Sequence, residues 1–268
     1  MVLPAIAAAL SGERENAASG QTTHPVEYIE GDEKRGVILL CDHASNFVPP
    51  DLEQLGLPAE QFERHIGYDI GAAEITRELA RRLQAPAILT RFSRLVIDPN
   101  RGRDDPTLVM RLSDGAVVPG NAYIDEAGIE QRIHRFYDPY DACISNEIER
   151  AIACGIAPMI VSIHSFTPVW RGVPRPWEIG LLWDKDDRLA RLLIDSLRRD
   201  GKFTVGDNEP YMGGLPGDTV DRHATVRGLV NVLIEIRQDL IAEQSGIRTW
   251  ADILEPLILQ ALADPELA

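Results

Sequence analysis

The chain has 268 residues, 44% hydrophobic and 26% charged, which suits one globular domain with a substantial buried core. Its 42 acidic residues outnumber 27 basic ones, for a formal net charge of −15 at pH 7. Such a surface repels polynucleotides and anionic membranes, whose phosphates are bound by Lys and Arg, so neither is expected as a partner.

The N-terminus MVLPAIAAALSGERENAASG has a short apolar piece but no basic residues before it, so it does not read as a signal peptide. No window approaches the roughly 18 apolar residues of a membrane span. Cys41, Cys143 and Cys154 form no CxxC pair, which fits a reducing compartment, and a cytoplasmic location is expected.

Residues 1–30 are rich in Ala, Ser and Thr and read as an N-terminal arm, with one short helix near Ala5 to Leu10. Residues 31–268 read as a single α/β domain. It opens with Gly36-Val37-Ile38-Leu39-Leu40-Cys41, an apolar run of strand length that ends in Asp42-His43-Ala44-Ser45-Asn46. From Asp69, GAAEITRELARRL sets Ala72, Ile75, Leu79 and Leu83 on one helical face, and Asp69 fits the N-cap.

Strand-like Ala87-Ile88-Leu89-Thr90 leads into Arg91-Phe92-Ser93-Arg94 and Asp98-Pro99-Asn100-Arg101. Residues 104–124, punctuated by Pro and Gly, read as a loop over the face of the domain. Glu126 to Ala153 reads as one helix or a pair, broken near Pro139. Met159-Ile160-Val161 then feeds Ser162-Ile163-His164-Ser165 before the chain turns at Thr167-Pro168. A β-branched run bounded this way is a buried strand, with His164 at the end where α/β folds meet ligand.

A turn-rich insertion, residues 170–176, holds Arg171 and Arg175. A strand follows at Ile179 to Trp183, a helix at Asp187 to Arg199, and a short strand at Phe203 to Val205. A Gly-rich loop from Met212 to Gly217 runs towards His223. The last strand, Val230 to Arg237, puts Glu235 among apolar neighbours, and an amphipathic helix closes the chain from Thr249 to Ala263. This alternation predicts a three-layer α/β fold around a mostly parallel central sheet flanked by helices.

Four polar groups stand beside apolar strands: His43, the set Arg94 with Asn100-Arg101, His164 and Glu235. A metal-activated hydrolase needs such residues: N/O ligands that leave one position for water, a carboxylate to take its proton, and a cation for the oxyanion. Each also has a plainer reading. His164 fits a core histidine, Glu235 a salt bridge with Arg237, and Asp69 an N-cap.

Ser162-Ile163-His164-Ser165, Ile234-Glu235-Ile236-Arg237 and Asp98-Pro99-Asn100-Arg101 resemble, in order, strands and pairs of the zinc carboxypeptidases. The chain is more similar to the N-formylglutamate amidohydrolase family, which shares that hydrolase fold. CDHASNFVP (41–49), GYDIGAAEI (67–75), SRLVIDPNR (93–101), SIHSFTP (162–168), GDNEPY (206–211) and DRHATVRGLVNVLIEIRQDLI (221–241) carry this resemblance.

The resemblance implies one zinc, or another divalent metal, per chain, with His43 and His164 as ligands. It implies Glu235 as general base, Arg94 as oxyanion donor, and Asn100-Arg101 as the grip on a substrate carboxylate. Carboxypeptidases carry a glutamate ligand where this chain has Asn46. Asp69 is therefore expected to complete the metal site, with Asn46 as the alternative. His223 is expected to bind substrate, or otherwise to anchor its loop. Arg237 is expected at the substrate or orienting Glu235, with Arg171 and Arg175 as further candidates for a substrate's second carboxylate.

The expected reaction is metal-dependent hydrolysis of a linear amide in a small molecule, N-formyl-L-glutamate or a related N-acyl amino acid. The rival reading is a metal-poor, non-catalytic binder of acidic amino-acid derivatives, and Asn46 is the feature that favours it.

Overall fold

In the computed structural model, which describes residues 24–267, seven strands pair into one sheet. They are β1 (Val26–Ile29), β2 (Val37–Cys41), β3 (Ala87–Thr90), β4 (Met159–Phe166), β5 (Ile179–Leu182), β6 (Val205–Asp207) and β7 (Asn231–Arg237). β2 and β4 are buried at every residue, which is why β2 and the first half of β4 read as unbroken apolar runs and not as alternating ones. The order across the sheet is β1-β3-β2-β4-β7-β5-β6. β3/β2, β2/β4, β4/β7 and β5/β6 run parallel, whereas β1/β3 and β7/β5 run antiparallel.

The helix expected near Ala5 to Leu10 lies outside the described residues. The arm expected through residue 30 is corrected at its end, because Val26–Ile29 forms the edge strand β1. A four-residue strand offers too few positions for alternation to show, and its pairing with β3 defines it.

Besides a single α-helical turn at Pro119–Ala122, the helices are α1 (Ala72–Leu83), α2 (Glu126–Arg132), α3 (Asp138–Ala153), α4 (Arg188–Asp200), α5 (Thr219–His223) and α6 (Gln244–Leu262). The break expected near Pro139 is a π turn, Ile133–Tyr137, placed before a proline in the first turn of α3. The loop over residues 104–124 carries a small hairpin, Leu112–Ser113 with Ala116–Val117. Among the described residues, no helix is long and apolar enough to cross a membrane.

Alternation along the strands sorts two cores. Val161, Ile163, Val232, Ile234 and Ile236 pack with residues of α1, α4 and α6. Ile160, Leu233, Tyr140, Ile144 and Val220 pack on the other face, beneath α3 and α5. His164 follows Ile160 and Ser162 along that second face, and Glu235 follows Leu233. The parallel register sets Glu235 directly opposite His164. Both lie towards the carboxyl ends of central strands, where the end of β2 delivers Asp42 and His43.

Candidate active site

Three buried side chains converge above these strand ends. His43 Nδ1 lies 3.3 Å from Asp69 Oδ2, and His164 Nδ1 lies 3.0 Å from the same oxygen. One ligand atom from each of His43, Asp69 and His164 falls within 4.8 Å of the others. Ligand atoms on a tetrahedral zinc sit about 3.3–3.5 Å apart, given Zn–N bonds of about 2.0–2.1 Å. The two nitrogens and one carboxylate oxygen suit zinc in kind, and both distances to Asp69 are close to that spacing.

Asp69 is free for this because the helix starts two residues later, at Gly71. The N-cap of α1 is Gly71, at φ +80°, and no side chain caps it. A Cβ on Gly71 would meet the Ile241 carbonyl oxygen at 2.3 Å, so the turn depends on glycine. The N-cap alternative for Asp69 is not what forms. The Asn46 side chain turns away and donates to Glu63 at 3.2 Å.

The remaining nitrogen of each histidine meets another buried carboxylate. His43 Nε2 is 2.7 Å from Asp98 Oδ1, and His164 Nε2 is 3.0 Å from Asp42 Oδ2. A carboxylate accepts, so each Nε2 donates to its own partner, and with an ion bound each Nδ1 would turn its lone pair to that ion. Asp42 also accepts from Ser162 and Tyr140, at 3.0 and 3.1 Å. Burial opposes its charge, but His164 outweighs that and holds the Asp42 carboxyl down to about 2. Burial likewise opposes charge on His164, yet Asp42 and Asp69 raise it well above its ordinary value.

The sequence assigns no role to Asp42 or Asp98. Their only signal was adjacency, one beside His43 and the other within Asp98-Pro99-Asn100-Arg101. Asp42→Asn or Asp98→Asn is expected to weaken zinc affinity about 10–100-fold, measured by competition with a chromogenic chelator.

Arg94 spans two carboxylates, 3.4 Å from Asp69 Oδ1 and 2.9 Å from Asp98 Oδ2. Its Nε is buried and has no partner among the described residues. Glu235 is 6% exposed and its Oε2 is likewise unpartnered. Burial lifts its carboxyl from an ordinary 4.5 to about 8. The salt bridge with Arg237 does not form.

These groups line a cavity of about 660 Å³ together with Asn100 and Arg101. Asn100 Oδ1 accepts from the Thr219 amide at 3.1 Å, which fixes the side chain at the wall. His65 also lines the cavity, 3.6 Å from Asp69 Oδ1. Burial lowers its imidazole to about 4. Nothing in its local pattern set it apart from a surface histidine.

Two expected substrate contacts are corrected. His223 is 1% exposed, does not line the cavity, and faces Asp141 at 2.8 Å and Ser145 at 3.4 Å. Those partners, both on α3, use the two ring nitrogens to anchor the loop. Arg237 is also off the cavity wall, held by Asp239 at 2.8 Å and by Glu178 at 3.7 Å. Arg171 is exposed and lies over the Trp170 ring.

A family model described as N-formylglutamate amidohydrolase matches residues 35–242. Among solved structures, a gene product from Agrobacterium tumefaciens is 36% identical, with a TM-score of 0.83 over 89% of this chain and 95% of that one. An N-formylglutamate amidohydrolase from Ralstonia eutropha is 23% identical, with a TM-score of 0.57 over 89% of this chain and 97% of that one, and shows the shared fold. No curated protein matches the chain.

Proposed function

The chain belongs to the N-formylglutamate amidohydrolase family, amidohydrolases that act on carbon–nitrogen bonds, and from that premise we propose that it hydrolyses N-formyl-L-glutamate or a related N-acyl amino acid by a metal-dependent route. The observation that carries this reading is the pairing of two features in one cavity. A His43–Asp69–His164 cluster could hold a divalent ion, and Glu235, with its Oε2 unpartnered, stands in register with His164.

A zinc or similar ion bound there would acidify water and polarise the acyl carbonyl. Glu235 takes the proton of the attacking water and returns it to the departing amine nitrogen. Its apolar setting favours the protonated form once that proton has arrived. Arg94 stands beside Asp69 with an unused Nε, ready to donate to the developing oxyanion. Asn100 and Arg101 hold the substrate's α-carboxylate and so place the acyl carbon. The binder reading rested on Asn46, whose side chain is engaged with Glu63 and not with the cluster.

Formate or acetate release by the zinc-supplemented protein tests the proposal, with N-formyl-L-glutamate and a panel of N-acyl amino acids. Turnover of at least one supports it, and inertness towards all contradicts it. Arg101→Ala is expected to lower kcat/KM about 10–150-fold, mostly through KM, by loss of a charge-assisted hydrogen bond of about 1.5–3 kcal/mol. Arg101→Lys should recover only part of this, because an ammonium cannot grip a carboxylate with a planar fork.

A further inference from the structure

The charge inventory of the cavity narrows the substrate class. Arg64, Arg94 and Arg101 are the arginines on its wall among the described residues. Arg64 is committed to Asp114 at 2.8 Å, and Arg94 to Asp69 and Asp98. Arg101 makes no ion pair; it donates to Thr107 Oγ1 at 3.2 Å and to the Asn100 carbonyl at 3.0 Å.

Against this one available guanidinium stand Glu63, Asp184, Asp218 and Asp221, on the same wall and without ion-pair partners. Glu63 and Asp184 are exposed, so water screens them. Asp218 is only 8% exposed and its charge is poorly screened. Arg175 also makes no ion pair, and its charge reaches Glu235 from behind the wall. Its guanidinium lies over the rings of Phe166, Trp170 and Tyr211, within 5.6 Å of each centroid, and is not part of the wall.

The rest of the lining is apolar. Leu182, Val220 and Leu233 belong to one buried cluster and line the cavity. Trp170, Met212 and Leu215 continue that surface outwards and are 37%, 79% and 37% exposed. A volume of about 660 Å³ is also roomy for a formylated small amino acid, since cavities of about 300–1,000 Å³ take drug-sized ligands.

We propose that the preferred substrates are N-acyl amino acids with a single carboxylate, held by Arg101, and a bulky apolar remainder, in preference to dicarboxylates such as N-formyl-L-glutamate. This rests on the amidohydrolase reading above. A second carboxylate would enter a partly dehydrated space beside acids that have no ion-pair partner, with no second free cation on the wall itself, where it costs binding energy. An apolar side chain or acyl group instead covers Leu182, Leu233 and the exposed rim, and gains by it.

The test compares kcat/KM of the zinc-loaded protein for N-formyl-L-glutamine and N-formyl-L-glutamate, which share a shape and differ in charge, and for N-formyl-L-phenylalanine. The glutamine compound should exceed the glutamate compound by at least about tenfold, and phenylalanine should exceed both. The glutamine-to-glutamate ratio should shrink as ionic strength rises from about 0.01 M to about 1 M. Dissociation constants on the slow Glu235→Gln protein should follow the same order. A glutamate compound that equals or outruns its glutamine partner overturns the inference and leaves the amidohydrolase reading intact. Failure to hydrolyse any member of the panel overturns both.

Discussion

Glu235→Gln is expected to lower kcat for amide hydrolysis by about 10²–10⁴-fold, the range of a lost general base, while zinc content stays unchanged. The two results must come together. Glu235 lies opposite His164 across two parallel strands but is not one of the clustered ligands, so glutamine should leave the metal site standing. Glutamine fills nearly the same volume and cannot accept the proton of water.

A metal-free readout separates chemistry from folding. Burial raises Glu235 to about 8, so the folded state keeps a proton that the unfolded chain releases above its ordinary 4.5. That stabilising contribution is complete below about pH 4.5 and is lost as pH rises through about 8. Glutamine has no such proton to lose. Metal-free Glu235→Gln protein should therefore melt above wild type at pH 8 and alongside it at pH 4. A normal rate in the variant would remove Glu235 from the mechanism.

Asp69→Ala is expected to weaken zinc binding by more than about 100-fold, beyond what loss of a supporting carboxylate costs, with activity falling in step. Asn46→Ala should leave zinc affinity within a few-fold of wild type. This contrast follows from geometry. Asp69 Oδ2 sits 3.0 Å from His164 Nδ1 and 3.3 Å from His43 Nδ1, whereas Asn46 faces Glu63. Asp69→Ala also leaves Arg94 with one carboxylate partner, so thermal unfolding should accompany the titration. A folded Asp69→Ala protein that binds zinc as wild type does would return the third position to Asn46.

The parts of this site that the sequence made legible are those set by strand pattern. Met159–Phe166 and Asn231–Arg237 are mostly apolar strands in which a buried ionisable side chain, His164 in one and Glu235 in the other, is costly unless it is used. Asp69 was harder, because an aspartate before a helix also fits an N-cap. Only the left-handed turn at Gly71 shows where its side chain goes.

What the sequence hid was set by long-range pairing. Asp141, which captures His223, lies 82 positions earlier on α3, and Glu178, which helps to hold Arg237, lies before β5. The Asp42 contacts with Ser162 and Tyr140 likewise join separate elements. No local spacing encodes such pairs. Charge balance in the cavity, on which the substrate inference turns, is hidden for the same reason.

The central claim, a metal-dependent amide hydrolase built on His43, Asp69 and His164, is tested most directly by stripping the protein with chelator and titrating zinc back. N-acyl amino acid hydrolysis should fall to background in the metal-free protein. It should return in proportion to zinc and level off at about one ion per chain, since one such cluster is present among the described residues. Full activity in protein shown to be free of metal would contradict the account.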